Sequence, residues 1–222
     1  MKKLVLLSVV LCVFWLRGRA QAPKQAEPKF AQAQVMSSER SDDSYVIYSY
    51  LLEQGPIEGR SAPRKQWLLE ATTYALPMNF ACDEGKKLLG AGPHSAVRPP
   101  EDRKAEWDAV MADYDAHCHD VIALDGGKFR DVLPVHLLDE AAKKRYQAQQ
   151  FRRHAENEVV EFPDAAGLHE FSEVYFNPQH TLALVHQGMW CGGLCGNWEW
   201  VALEKKNGKW STLSWTNMVT FS

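Results

Sequence analysis

The residues with the most chemical promise lie in the C-terminal third of the chain. Cys191 and Cys195 enclose Gly192-Gly193-Leu194, so three residues separate the two sulfurs. An exchangeable dithiol of the thioredoxin type has two intervening residues and opens a helix whose N-terminus stabilises the thiolate. The segments flanking this bend read as strands, so a structural disulfide is the stronger reading. His117 and His119 flank Cys118 and would share one face of an extended stretch. Two imidazoles there could begin a zinc or copper site, completed by Asp120 or His136. No HExxH or CxxC element supports them, and a histidine is electrostatically favoured at a helix C-terminus. The pair reads first as a helix end, and no cofactor is expected.

His180 and His186 bracket an apolar run, with His169, Glu170, Glu173, Glu199 and Glu204 nearby in sequence. Paired carboxylates can perform hydrolysis when held at the right separation. Alternation along an exposed sheet face yields the same residues with no function attached. A small hydrolase built on His180, His186 and Glu199 is therefore the alternative, and the leading expectation is not an enzyme. Tryptophan is the other signal: Trp190, Trp198, Trp200, Trp210 and Trp215 fall within 26 residues. Trp198 and Trp200 share a strand face, and Trp210 on an adjacent strand could stack near them. Indoles are mostly buried, so a thick core is the first reading. Exposed, Trp190, Trp198, Trp200 and Trp210 would bind sugars, peptides or apolar ligands.

Positioning these residues takes helices and strands in a definite order. Tyr45, Tyr48, Leu51 and Leu52 recur at helical spacing after Ser41 and Asp42, and Gly55-Pro56 ends the run. Trp107, Val110, Met111 and Tyr114 repeat the pattern after Asp102. Asp139 caps a third, polar helix whose Lys143, Lys144 and Arg145 suit the helix dipole and suggest an exposed face. Short apolar runs at 65–74, 121–124 and 132–137 read as strands. Beyond residue 170, strand follows strand: 171–176, 181–190, 198–205 and 210–221, with Asn207-Gly208 marking a type I′ hairpin turn. The expected class is α+β, a C-terminal four-stranded antiparallel meander with about three helices near 43–53, 102–116 and 139–151.

The N-terminus has the layout of an export signal. Lys2 and Lys3 precede an apolar stretch over 4–16, and Ala20-Gln21-Ala22 supplies the small-x-small cleavage site. That stretch is shorter than the roughly 20 residues of a membrane span. The expected division is a signal peptide at 1–22, a disordered leader at 23–40 and one α+β domain at 41–222, secreted or periplasmic. Without Lys2, Lys3, Arg17 and Arg19 the formal charge of −3 becomes about −7, which disfavours nucleic acid and anionic membranes. No stable membrane insertion is expected after cleavage. Cys82, Cys118, Cys191 and Cys195 remain, an even number in an exported chain. Of three possible pairings, Cys191–Cys195 with Cys82–Cys118 is preferred because Gly192 and Gly193 let a short loop fold back.

The run Val174-Tyr175-Phe176-Asn177, then Ala183-Leu184-Val185, the Cys191-to-Gly196 bend and Leu203-Glu204-Lys205-Lys206-Asn207-Gly208-Lys209-Trp210 resembles a group of uncharacterised bacterial exported proteins. Their shared hairpin reads CGxLCG followed by LEKKNGKW. The resemblance covers about the last fifty residues, with a vaguer echo around 45–52 and 133–145. It implies export, the hairpin fold and the Cys191–Cys195 pair, and carries no activity. Asn197-Trp198-Glu199-Trp200 departs from the small residues usual after the second cysteine, so the surface beside the bend differs. Taken together, the expectation is an exported, non-catalytic binding or envelope-associated module. Its ligand or envelope partner would meet the sheet and the bend. The alternatives are the hydrolase above and a metal-binding protein centred on His117 and His119.

Overall fold

The computed structural model describes residues 42–54, 65–76, 81–82, 92–150, 161–193, 195–215 and 219–221. The expected signal at 1–22 and leader at 23–40 lie outside them. Helix α1 (Asp42–Gln54) follows the apolar repeat seen in the sequence, burying Ile47, Tyr48, Leu51 and Leu52. Strand β1 (Trp67–Glu70) comes next, then a four-residue helix α2 (Pro93–Ala96) and the long helix α3 (Lys104–His117). Arg103, in a 3-10 turn, occupies the N-cap of α3 in place of the expected Asp102, and no side chain caps it. Strand β2 (Val135–Leu138) leads into α4 (Glu140–Gln150), where Asp139 caps as expected by accepting from the Ala142 N–H at 2.7 Å.

The remaining strands are β3 (Leu168–Phe171), β4 (Tyr175–Phe176), β5 (Leu182–Gly192), β6 (Cys195–Lys206), β7 (Lys209–Leu213) and β8 (Val219–Phe221). The class is α+β, but the expected four-stranded meander is part of a larger mixed sheet, eight strands among the described residues, ordered β2-β1-β3-β5-β6-β7. β1 runs parallel to both β2 and β3, an isolated bridge from Tyr74 to Ser172 is parallel too, and the other strand pairings among the described residues are antiparallel. The apolar run at 121–124 forms no named strand; it bridges Ala123 to Thr72 and exchanges backbone hydrogen bonds with 71–73, Thr73 N–H donating to Ile122 and Leu124 N–H to Ala71. The spine is the β5–β6 hairpin, paired from Leu182↔Glu204 to Trp190↔Gly196. Each long strand has an outer edge divided between two short ones: β3 and β4 share β5, and β7 and β8 share β6.

Alternation gives the sheet two apolar faces. One takes α1 against Trp67, Leu69, Phe171, Ala183, Val185, Val201, Leu203 and Trp210. The other takes α3, through Trp107, Val110, Met111 and Tyr114, on Leu182, Leu184 and Ala202. Further along this second face, Tyr146 of α4 packs with Leu68, Leu138 and Leu168. The sulfurs pair as preferred, Cys82 with Cys118 and Cys191 with Cys195.

Candidate functional site

Between α3 and α4 the second sheet face carries polar side chains, and the strand register explains why they meet. β1 and β3 pair as Leu68↔Leu168 and Leu69↔His169. One rung further, Glu70 and Glu170 stand side by side on adjacent parallel strands, which lie about 4.8 Å apart. Two carboxylates in that relation repel each other. Helix α4 answers with Lys143, whose Nζ lies 2.5 Å from a Glu70 oxygen, one turn before the buried Tyr146 that seats the helix. The basic run is thus divided: Lys144 is exposed and pairs with Glu140, while Lys143 turns toward the sheet.

Trp198 completes the arrangement from β6. Its indole N–H donates to Glu170 Oε1 at 2.7 Å. Its ring lies over two glycines: a Cβ on Gly188 would stand 2.4 Å from Trp198 Cδ1, and one on Gly196 would stand 2.6 Å from Cη2. Glu70, Lys143, Gln147, Leu168, Glu170, Trp190 and Trp198 line an open pocket of about 130 Å³. Burial and, second, the charge of Glu70 push the Glu170 carboxyl up to about 7, against the opposing Trp198 hydrogen bond and Lys143 charge. Tyr74 is raised by its own burial and by the charge of Glu170.

A Gly188→Ala substitution tests this cradle. The new methyl would also come within 2.8 Å of Glu170 Cγ, so the indole and carboxylate must both move. Overpacking of this kind costs about 1–3 kcal/mol. The expected result is that loss in urea unfolding together with a shift in tryptophan emission, both reduced when Trp198→Ala is added. A variant as stable as the parent, with unchanged emission, would show that the ring does not lie there.

The other sequence candidates are dispersed. His180 stacks on Phe176 with centroids 4.4 Å apart and meets Asp43 at 3.3 Å. Glu199 accepts from Gln187 Nε2 at 2.7 Å, on the α1 side. His186 points to the opposite side, packed by Tyr74 at 5.6 Å and Trp200 at 5.1 Å between ring centroids. Its Nδ1 is buried without a partner among the described residues, and burial lowers its pKa to about 4. His180, His186 and Glu199 therefore form no common site. Glu173 is buried at 1% exposure, and Glu204 is bound by Arg103 at 2.9 Å and by Lys206.

His117 and His119 also part: His117 Nδ1 faces Asp113, and His119 Nδ1 donates to the Leu76 carbonyl at 2.8 Å. The donor atoms near one another are those of Cys82, Cys118 and His119, and the disulfide occupies both sulfurs. Of the tryptophans, Trp190 and Trp198 line the pocket, while Trp200 packs on Tyr114 at 5.5 Å and Trp215 on Trp107 at 5.7 Å. Trp210 lies on the α1 face because β7 pairs it with Lys205, so it cannot stack with Trp198 and Trp200. Sequence reasoning passed over Glu70 and Gln147 and placed Lys143 on an exposed basic face; the polar end of Trp67-Leu68-Leu69-Glu70 was the available signal.

The fold and site thus define an α+β domain with a mixed sheet and a small pocket of paired carboxylates and indoles. Compared with protein-family models, curated proteins and solved structures, the chain matches none of them. Among the described residues no helix is long and apolar enough to cross a membrane.

Proposed function

We propose that this chain is an exported, non-catalytic binding module whose ligand enters the pocket between Glu70, Glu170, Trp190 and Trp198. The observation that carries the reading is convergence: two indoles, two carboxylates and one lysine, brought from β1, β3, β5, β6 and α4, line one open pocket. A like-charge pair costs stability, and such costs persist where a ligand uses them. The tripartite N-terminus supports export, and paired cysteines suit an oxidising compartment.

A hydrolytic reading keeps one supporting observation, an acid of raised pKa beside a second carboxylate. The test uses chain recovered from outside the cytoplasm, whose mass should correspond to a start at Pro23. An amide NMR spectrum is recorded against cationic, anionic and neutral small molecules. At least one should move the indole N–H signals of Trp190 and Trp198, and the shift should vanish in Trp198→Ala. If no compound moves either indole, the binding reading fails. If a compound is consumed, catalysis replaces it.

A further inference from the structure

We propose that the pocket takes a small monocationic organic amine, its ammonium head against Glu70 and Glu170 and its carbon substituents against the indoles of Trp190 and Trp198. This rests on the binding reading above and names the ligand class. The first support is charge. Two carboxylates face a single ammonium, that of Lys143, so with both ionised the lining carries one net negative charge. A monocation balances it and relieves the repulsion between neighbouring strands, whereas an anion would add to it.

The second support is the arrangement of acceptors. Trp198 engages one Glu170 oxygen, and an ionised carboxylate has further lone pairs to accept from an N–H and a charge that attracts a quaternary ammonium. The indoles are the third. Indole is the best aromatic partner for a cation. The backbone of Gly188 and Gly196 sets the plane of Trp198, so little rotamer freedom is lost on binding. A volume of about 130 Å³ suits a head group rather than a polymer chain.

The groups around Glu170 make binding proton-linked. Glu70 faces it from β1, Tyr74 from the segment after β1, Lys143 and Gln147 from α4, and Trp190 and Trp198 from the hairpin. A cation is attracted only to the ionised form, and the carboxyl titrates at about 7. Affinity should therefore fall about tenfold between pH 8 and pH 6, following the ionised fraction.

The test compares choline with its uncharged isostere 3,3-dimethylbutan-1-ol, and with acetate, by calorimetry and indole NMR on the disulfide-intact protein. Choline should bind at least tenfold more tightly than the isostere, weaken about tenfold from pH 8 to pH 6, and leave acetate without effect. Glu170→Gln keeps an acceptor for Trp198 and should remove the pH dependence together with most of the affinity. If that variant does not fold, the isostere comparison and pH series on the parent protein decide. Equal binding of the isostere, or binding of acetate, at the two indoles overturns the cationic assignment and leaves the binding module standing. No movement of either indole with any compound overturns both.

Discussion

Replacing Cys82 and Cys118 is expected to lower stability by about 4 kcal/mol, roughly twice the loss expected from replacing Cys191 and Cys195. The bridges join residues 36 and 4 apart in sequence, and the longer loop confines far more of the unfolded chain. For the short bridge the same chain-entropy relation gives about 2 kcal/mol. The long bridge also ties Cys82 to the end of α3. There the Leu76 N–H donates to the Cys118 carbonyl at 2.8 Å and the Tyr114 hydroxyl to that of Cys82 at 3.0 Å. Cys118 is 1% exposed within the α3 cluster, so alanine is the appropriate replacement there and serine at Cys82. Urea midpoints of the two paired variants measure the difference. Equal losses, or a larger loss from the short bridge, would show that loop confinement does not set the ranking.

The second large effect is hidden in the parent protein because two titrations oppose each other. Glu170 is raised to about 7 in the folded state, so between the ordinary glutamate value and 7 the folded chain binds more protons than the unfolded one. Its contribution falls as pH rises through that window. His186 is lowered to about 4, so between there and the ordinary histidine value the unfolded chain binds more protons. Its contribution is lost as pH falls. The windows overlap from about pH 4.5 to 6.5, and these two slopes should nearly cancel there. Glu170→Gln should leave a slope rising with pH, and His186→Gln one falling with pH, each approaching 1.4 kcal/mol per pH unit at most, or about 3 kcal/mol across the window. Denaturant titrations at half-unit steps read both slopes. If both variants share the parent's profile, the two burials do not govern proton uptake.

Local signals made the helices and the hairpin legible. The repeats Tyr45-Tyr48-Leu51-Leu52 and Trp107-Val110-Met111-Tyr114 gave α1 and α3, and Asp139 marked the start of α4. Asn207-Gly208 marked the β6–β7 turn, with φ of 52° and 76°. A two-residue loop pairs 206 with 209 and 205 with 210, which puts Trp210 on the face opposite Trp198 and Trp200. The parallel pairing of β1 with β3 had no such marker. It joins segments a hundred residues apart, and neither Trp67-Leu68-Leu69-Glu70 nor Leu168-His169-Glu170-Phe171 names its partner. The carboxylate pair was invisible for the same reason. The dipole of α4 concerns the helix alone and groups Lys143 with its exposed neighbours, whereas Glu70 on the sheet decides which way it turns.

The division of the sheet into a long hairpin and a parallel flank implies an order of assembly. Strands β5, β6 and β7 meet across turns of two residues, so closing them is fast and entropically cheap. Joining β1 to β3 requires bringing together residues 68 and 168, the slow kind of closure that high contact order describes. Glu70 comes from the late flank, Trp190 and Trp198 from the early hairpin, and Glu170 from the strand between them. The pocket is therefore expected to be among the last features completed as the chain folds. A ligand that bridges Glu70 and the indoles would then bind only the finished domain, and so hold it against reopening.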